Sequence, residues 1–243
     1  RNELFLQATI DELLNNAHGD IEIIVVLDGY WTDPPLRDDP RQIIVHRERR
    51  GMRQSINAGV AIAKGKYVMK VDAHCLFGKG YDIALQSDCD GDWIVVPRRY
   101  SVEPETWTIR KHRHYVDYEY LGYPYHHRLM HGSKTGIHAW VWDERIETHA
   151  HKLIDENMTF QGSCWFCTKE HFEKRIGYVS NAGYGTFIGE AQELGLKTWL
   201  GGGKCMINKK TWYGHMWKGQ PYRDAYKAKY GVPYTRMSHK ECV

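Results

Sequence analysis

Tyr67-Val68-Met69-Lys70-Val71-Asp72-Ala73-His74-Cys75 is the stretch from which the fold is read. Its first half is β-branched and aromatic, a strand signature, and it runs into an Asp-x-His pair. Residues two apart on a strand share a face, so Asp72 and His74 can both reach one ligand just past the last hydrogen-bonded rung. A carboxylate beside an imidazole suits Mn²⁺ or Zn²⁺. Local turn hydrogen bonds at a strand end would account for the same two residues, so the surrounding chain has to decide.

Upstream, Gly51 to Gly65 is a run of small residues at helical spacing, closed by a glycine. A short strand, Ile43 to His46, precedes it, after a Pro- and Asp-rich connection. Before that, Ile21 to Leu27 is an almost continuous apolar run ending at Asp28-Gly29, the pattern of a strand covered on both faces. The chain opens with an amphipathic helix over Leu4 to Leu14, stopped at Asn15-Asn16-Ala17-His18-Gly19. This alternation of strand and helix predicts an α/β sheet, with Asp28 and Asp72 ending strands on one rim.

Downstream, a short helix is expected over Tyr81 to Gln86 and a strand over Trp93 to Val96. After Pro97 the periodicity fades. Arg98 to Lys152 holds Arg110-Lys111-His112-Arg113-His114 and eight of the fourteen histidines, and reads as a surface excursion or an acceptor-binding insert. Its histidine pairs (112/114, 126/127, 149/151) match no metal-ligand spacing and read as a solvated basic face. Order returns with a strand at Cys164-Trp165-Phe166-Cys167 and a short helix over Lys169 to Lys174. A glycine-laced loop, Gly183 to Gly189, then leads into a helix over Glu190 to Leu200. The last strand is expected over Lys209 to His215, before a tail rich in Lys, Arg and Tyr.

At 243 residues the chain can bury a substantial core, and no apolar run approaches the length of a membrane span. A net charge of +3 is too mild to argue for nucleic acid or an anionic membrane. Six scattered cysteines do not make a disulfide scaffold, which points to a reduced, cytoplasmic setting. Cys164 and Cys167 have C-x-x-C spacing, but two bulky aromatics between them favour a buried strand over a redox or metal site.

Four segments together carry a family resemblance. They are Ala63-Lys64-Gly65 with Val71-Asp72-Ala73-His74-Cys75, Gln161-Gly162-Ser163-Cys164-Trp165-Phe166, Gly189-Glu190-Ala191-Gln192-Glu193-Leu194 with Trp199 and Gly202-Gly203, and Gly214-His215-Met216-Trp217-Lys218 with Pro221-Tyr222. In this order they resemble the GT-A fold glycosyltransferases of the family 2 type, and most of all the polypeptide N-acetylgalactosaminyltransferases. The resemblance is faint between about 100 and 155. It implies a Rossmann-like α/β fold, a mixed central sheet flanked by helices. It also implies a single catalytic domain over 1–243, with a nucleotide-binding half (1–97) and an acceptor-binding half (98–243), and with its first strand lying before Arg1.

Carried over residue by residue, the resemblance implies that Asp72, His74 and His215 hold Mn²⁺, or Mg²⁺ in its place. Asp28 falls where the family pairs with uracil, which implies a UDP-sugar donor, although the family commonly has two adjacent acids there and this chain has Leu27-Asp28. Lys218 and Tyr222 fall where a mobile loop closes over the phosphates, with Arg53 nearby, and Gly162, Ser163, Glu190 and Trp199 fall around the sugar. Catalytic parts are implied for Asp72, Glu190 and Glu193. Inverting relatives begin this helix with Glu-Asp, the second acid being the base; here Ala191 cannot act as one. The implied outcome is retention of configuration, with a donor phosphate oxygen taking the acceptor proton and Glu190 positioning donor hydroxyls or the acceptor.

Two acceptors compete at this point. The resemblance points to Ser or Thr of a polypeptide, and the basic, aromatic stretch from Arg98 to Arg128 would suit a hydroxymethylated DNA base. No membrane partner is expected. A different class of function, a nucleic-acid-binding module on a transferase fold without turnover, is also compatible with that basic stretch, though the presence of all three implied metal ligands argues against it.

Overall fold

The structure is a computed structural model, and it describes residues 3–122, 138–182 and 189–233. The expected loop from Gly183 to Ile188, His126, His127 and Cys242 lie outside the described residues. In chain order the elements are α1 (Leu6–Asn16), β1 (Ile23–Asp28), β2 (Gln42–Arg47), α2 (Met52–Ile62), β3 (Tyr67–Val71), β4 (Cys75–Phe77), α3 (Tyr81–Ser87) and β5 (Trp93–Glu103). They continue with β6 (Thr108–Ile109), β7 (Glu119–Gly122), β8 (His138–Val141), α4 (Asp143–Thr148), β9 (Ile154–Asn157) and β10 (Cys164–Thr168). The short α5 (Lys169–His171) runs on as a π-helical turn over Phe172–Ile176, followed by α6 (Glu190–Leu200), β11 (Lys204–His215) and α7 (Gln220–Tyr230). No helix among the described residues is long and apolar enough to cross a membrane.

The main sheet has seven strands, ordered β3-β10-β5-β11-β4, with β6 added to β5 and β9 to β11. Only β5 and β11 run parallel within it, so the sheet is mixed; β1 and β2 form a separate parallel pair. Both faces of the main sheet are covered. On β10, Trp165 and Cys167 pack into a core with Ile56 and Val60 of α2 and Ala191 and Leu194 of α6. Cys164 and Phe166 point the other way, into a core with Ile10 and Leu13 of α1 and Leu85 of α3. The run Cys164–Cys167 is thus a strand buried on both faces, and burial pushes both thiols up, which suits packing rather than redox chemistry.

Two expectations need correction. β5 does not stop at Pro97 but continues to Glu103; Pro97 lies opposite Asn208, where the β5–β11 register breaks before Trp212, so the missing N–H falls at an irregularity. The segment after Pro97 is not simply a surface excursion, because β6 pairs with β5 and Tyr118 is buried in the core. The histidines read as a solvated face are exposed at His112, His114 and His151, while Arg98 makes two 2.7 Å bonds to Asp117 and Arg99 donates to Glu119 at 3.0 Å. The tail contains α7, which buries Tyr222 and Tyr226 one turn apart and carries Pro near its start and Gly231 at its end.

Candidate active site

Backbone pairing brings the implied metal ligands together. Asp72 follows the last residue of β3, and its N–H donates to the Ser163 carbonyl at 2.8 Å. His74 lies between β3 and β4, and His215, the last residue of β11, is the register partner of Cys75. The two imidazole Nε2 atoms are 3.1 Å apart, and they lie 3.8 Å (His74) and 3.3 Å (His215) from Asp72 Oδ2. One ligand atom from each residue falls within 4.8 Å of the others, and this is the only such cluster of three found among the described residues.

The donor set fits a divalent ion. Two ligands at right angles and about 2.1 Å from an ion stand about 3 Å apart, close to the observed Nε2 separation. Burial, reinforced by the charge of nearby groups and only partly offset by Asp72, pushes His215 down to about 4, so its ring is neutral and its lone pair available. Burial alone would raise the carboxyl of Asp72, but Lys70 and then the two histidines hold it well below the usual carboxylate range. A carboxylate and two imidazoles suit Mn²⁺ or Zn²⁺ and leave coordination positions open.

Glu190 begins α6 after Gly189, whose φ of 75° is the left-handed conformation that glycine adopts without strain. Its carboxylate lies directly over Gly162, where a Cβ would overlap it. Burial pushes its pKa up, against the pull of Lys70, 3.8 Å away. Lys70, two residues before Asp72 on β3, donates to Asp72 Oδ1 at 2.5 Å and to the Gly162 carbonyl, so one ammonium stands between Asp72 and Glu190. The sequence reading missed it, although its i, i+2 relation to Asp72 is the signal that would have placed it on the same face. Ser163 shares a hydrogen bond of 2.8 Å with the Tyr213 hydroxyl. Ala191 is packed in the core between α6 and the sheet.

Several implied residues are engaged elsewhere. Arg53 is fully buried (0% exposed), where its guanidinium pairs with Glu193 and donates to the Ser180 carbonyl at 2.7 Å. Lys197 takes the other oxygen of Glu193 at 2.7 Å. Arg53 and Glu193 thus hold α2 to α6. Trp199 lies nine residues beyond Glu190, about 13 Å along the helix axis, so it is not gathered with the sugar-side residues. Both oxygens of Asp28 accept backbone N–H groups, from Arg50 and Gly51 at 2.8 Å each, and fix the loop that enters α2.

Lys218 and Tyr222 converge on a residue the sequence reading passed over. Glu3, buried just before α1, accepts from Lys218 Nζ at 2.6 Å and from the Tyr222 hydroxyl at 2.7 Å, and its Oε2 lies 3.4 Å from Nδ1 of His74. Burial pushes Glu3 up, but His74 and Lys218 outweigh it and bring the carboxyl down to about 2.

A family model for glycosyl transferase family 2 matches residues 1–176. The chain is 24% identical over 233 residues to a putative polypeptide N-acetylgalactosaminyltransferase 13 of Drosophila melanogaster, covering 88% of this chain and 39% of that protein. It is 25% identical over 240 residues to polypeptide N-acetylgalactosaminyltransferase 5 of Caenorhabditis elegans, covering 90% and 34%. The crystal structure of GalNAc-T7 with UDP, GalNAc and Mn²⁺ superimposes with a TM-score of 0.65 at 15% identity, over 89% of this chain and 41% of that one. The likeness shows a shared GT-A fold, and the chain spans about two fifths of the length of these proteins or less.

Proposed function

From the premise that the chain belongs to glycosyl transferase family 2, we propose that it is a metal-dependent glycosyltransferase that moves a hexose or N-acetylhexosamine from a UDP-sugar to an acceptor hydroxyl, with retention of configuration. The observation that carries this reading is the convergence of Asp72, His74 and His215 on one point at the sheet rim. Mn²⁺ is the ion of choice, because GalNAc-T7 holds it with UDP and the donor set here suits it. When bound, the ion supplies positive charge to the diphosphate as it departs. We read 1–243 as one catalytic domain, with 1–97 on the nucleotide side and 98–243 on the acceptor side.

The chain's own residues then have distinct tasks. Asp72, His74 and His215 hold the ion. Gly162 leaves room for the Glu190 carboxylate, which accepts hydrogen bonds from donor or acceptor hydroxyls, and Lys70 keeps that carboxylate aimed. In the transfer, the bond from the anomeric carbon to the β-phosphate oxygen breaks and a bond to the acceptor oxygen forms. The electron pair leaves on UDP, whose phosphate oxygen takes the acceptor proton. Ala191 offers no base at the second position of α6, which supports retention over inversion.

A polypeptide Ser or Thr is the favoured acceptor, since both relatives are by name polypeptide transferases. A hydroxymethylated DNA base draws less support, because Arg98 and Arg99 at the head of the basic stretch are spent on Asp117 and Glu119. The test is a panel of UDP-sugars with Mn²⁺, crossed with Ser/Thr peptides and hydroxymethylated DNA, with the anomeric configuration of the product read by NMR. Transfer to peptide with retention is expected. Inversion would overturn the stereochemical reading, and DNA binding without any UDP-sugar turnover would overturn the enzyme.

A further inference from the structure

His74 and His215 present Nε2 to the site, but their Nδ1 atoms are in different surroundings. Both Nδ1 atoms are buried without a well-formed hydrogen bond. That of His215 has no carboxylate partner among the described ion pairs, whereas that of His74 faces Glu3 Oε2 at 3.4 Å, the long edge of hydrogen-bond range. An imidazole that offers its Nε2 lone pair to a metal must carry its proton on Nδ1, and a carboxylate beside Nδ1 fixes that tautomer and the ring's orientation. The Glu3 carboxylate also receives Lys218 Nζ and the Tyr222 hydroxyl, from the segment that leaves β11 just after His215. One buried acid thus touches one ligand directly and ties down the chain that follows another.

We infer that Glu3 is a positioning residue for the metal centre: its carboxylate sets the tautomer and orientation of His74 and anchors the Lys218–Tyr222 segment beside the site. The inference rests on reading Asp72, His74 and His215 as metal ligands. Glu3 itself is not one of the three clustered ligands. It lies outside all four sequence segments that carry the family resemblance, and more than 200 residues separate it from Lys218 and Tyr222.

The test uses the full chain and Mn²⁺ alone, without donor or acceptor, with the free ion followed by electron paramagnetic resonance and the fold by near-ultraviolet circular dichroism. Glu3→Gln keeps the shape of the side chain and removes its charge; its Kd for Mn²⁺ is expected to rise about 10- to 100-fold with the fold intact. Asp11→Asn, which removes a partly exposed acid two turns along from Glu3, is expected to change Kd by less than about twofold, as a surface charge does. An unchanged Kd in folded Glu3→Gln, or an equal loss in Asp11→Asn, overturns the inference. If Glu3→Gln does not fold, Glu3→Asp is read by the same criterion, because shortening the side chain moves the carboxylate away from Nδ1. Asp72→Ala tests the ligand reading by itself: undiminished Mn²⁺ binding there rejects the site, whatever Glu3 does.

Discussion

The rim cluster of Asp72, His74 and His215 and the pair of Arg53 with Glu193 between α2 and α6 are both assemblies of buried ionisable groups, built on opposite plans. In the inner pair a cation meets an anion, a backbone carbonyl takes a further guanidinium N–H, and Lys197 takes the remaining carboxylate oxygen. At the rim, two imidazole nitrogens and a carboxylate oxygen crowd within 4.8 Å, Lys70 donates to the other oxygen of Asp72, and burial keeps His215 from gaining a proton. Buried charges are tolerated when paired, so the first arrangement is a closed joint of the scaffold. On the proposed reading, the second is completed by a cation from outside. Glu190 and Glu193, less than one turn apart on α6, fall on either side of this divide.

The largest expected difference between the two is in function. Asp72→Ala removes the carboxylate from the donor set, and Mn²⁺ binding and sugar transfer are expected to be lost, by about a thousandfold or more, as for a group acting on the charge of the transition state. The melting temperature should hold within a few degrees. Undiminished turnover in the folded variant would break the contrast. Arg53→Met acts on the other side. It leaves the Glu193 carboxylate buried without its main partner and should cost about 3–5 kcal/mol in urea unfolding, as breaking a buried pair does, while the Mn²⁺ Kd of the folded protein is kept. A loss below about 1 kcal/mol would show that the joint is not structural.

What could be read from the sequence follows the same line. The bounds of α6, the doubly covered strand around Trp165 and the rim position of Asp72 rest on local periodicity and on a strand running into polar residues, which a short window reveals. Arg53 and Glu193 are 140 residues apart, and Glu3 and Lys218 are 215 apart. An ion pair at that separation leaves no periodic trace, so nothing in the sequence joined Arg53 to Glu193 or Glu3 to Lys218. Pro97 misled for a related reason: only the break in β11 opposite it makes a proline tolerable inside a long strand. The basic stretch after it looked suited to nucleic acid because Asp117 and Glu119, which neutralise Arg98 and Arg99, lie about 20 positions downstream.

Protonation separates the clusters by a smaller amount. His215 has a folded-state pKa of about 4, below its ordinary value of 6.5, so the unfolded chain takes up its proton first. Its contribution to stability is therefore fully present above pH 6.5 and is lost as pH falls from there towards 4. Glu3, at about 2 against 4.5, adds a second loss between pH 4.5 and 2. Each group contributes a slope of at most about 1.4 kcal/mol per pH unit. Urea unfolding of the metal-free protein should show the first slope, and His215→Gln should flatten it between pH 6.5 and 4. An unchanged slope in that variant would remove His215 from the account.

The smallest expected effect is at Trp199, which the family resemblance placed near the sugar. It is 40% exposed and sits near the end of α6, about 13 Å from Glu190 along the helix. Since it reaches neither cluster, Trp199→Ala should leave the donor KM within about twofold and cost roughly 1 kcal/mol, the usual size for a partly exposed side chain. A tenfold rise in donor KM at unchanged kcat would mean that uniform binding had been lost, and that α6 presents its far end to the donor. Glu190 would then no longer mark the boundary between the part of the helix that faces chemistry and the part that only packs.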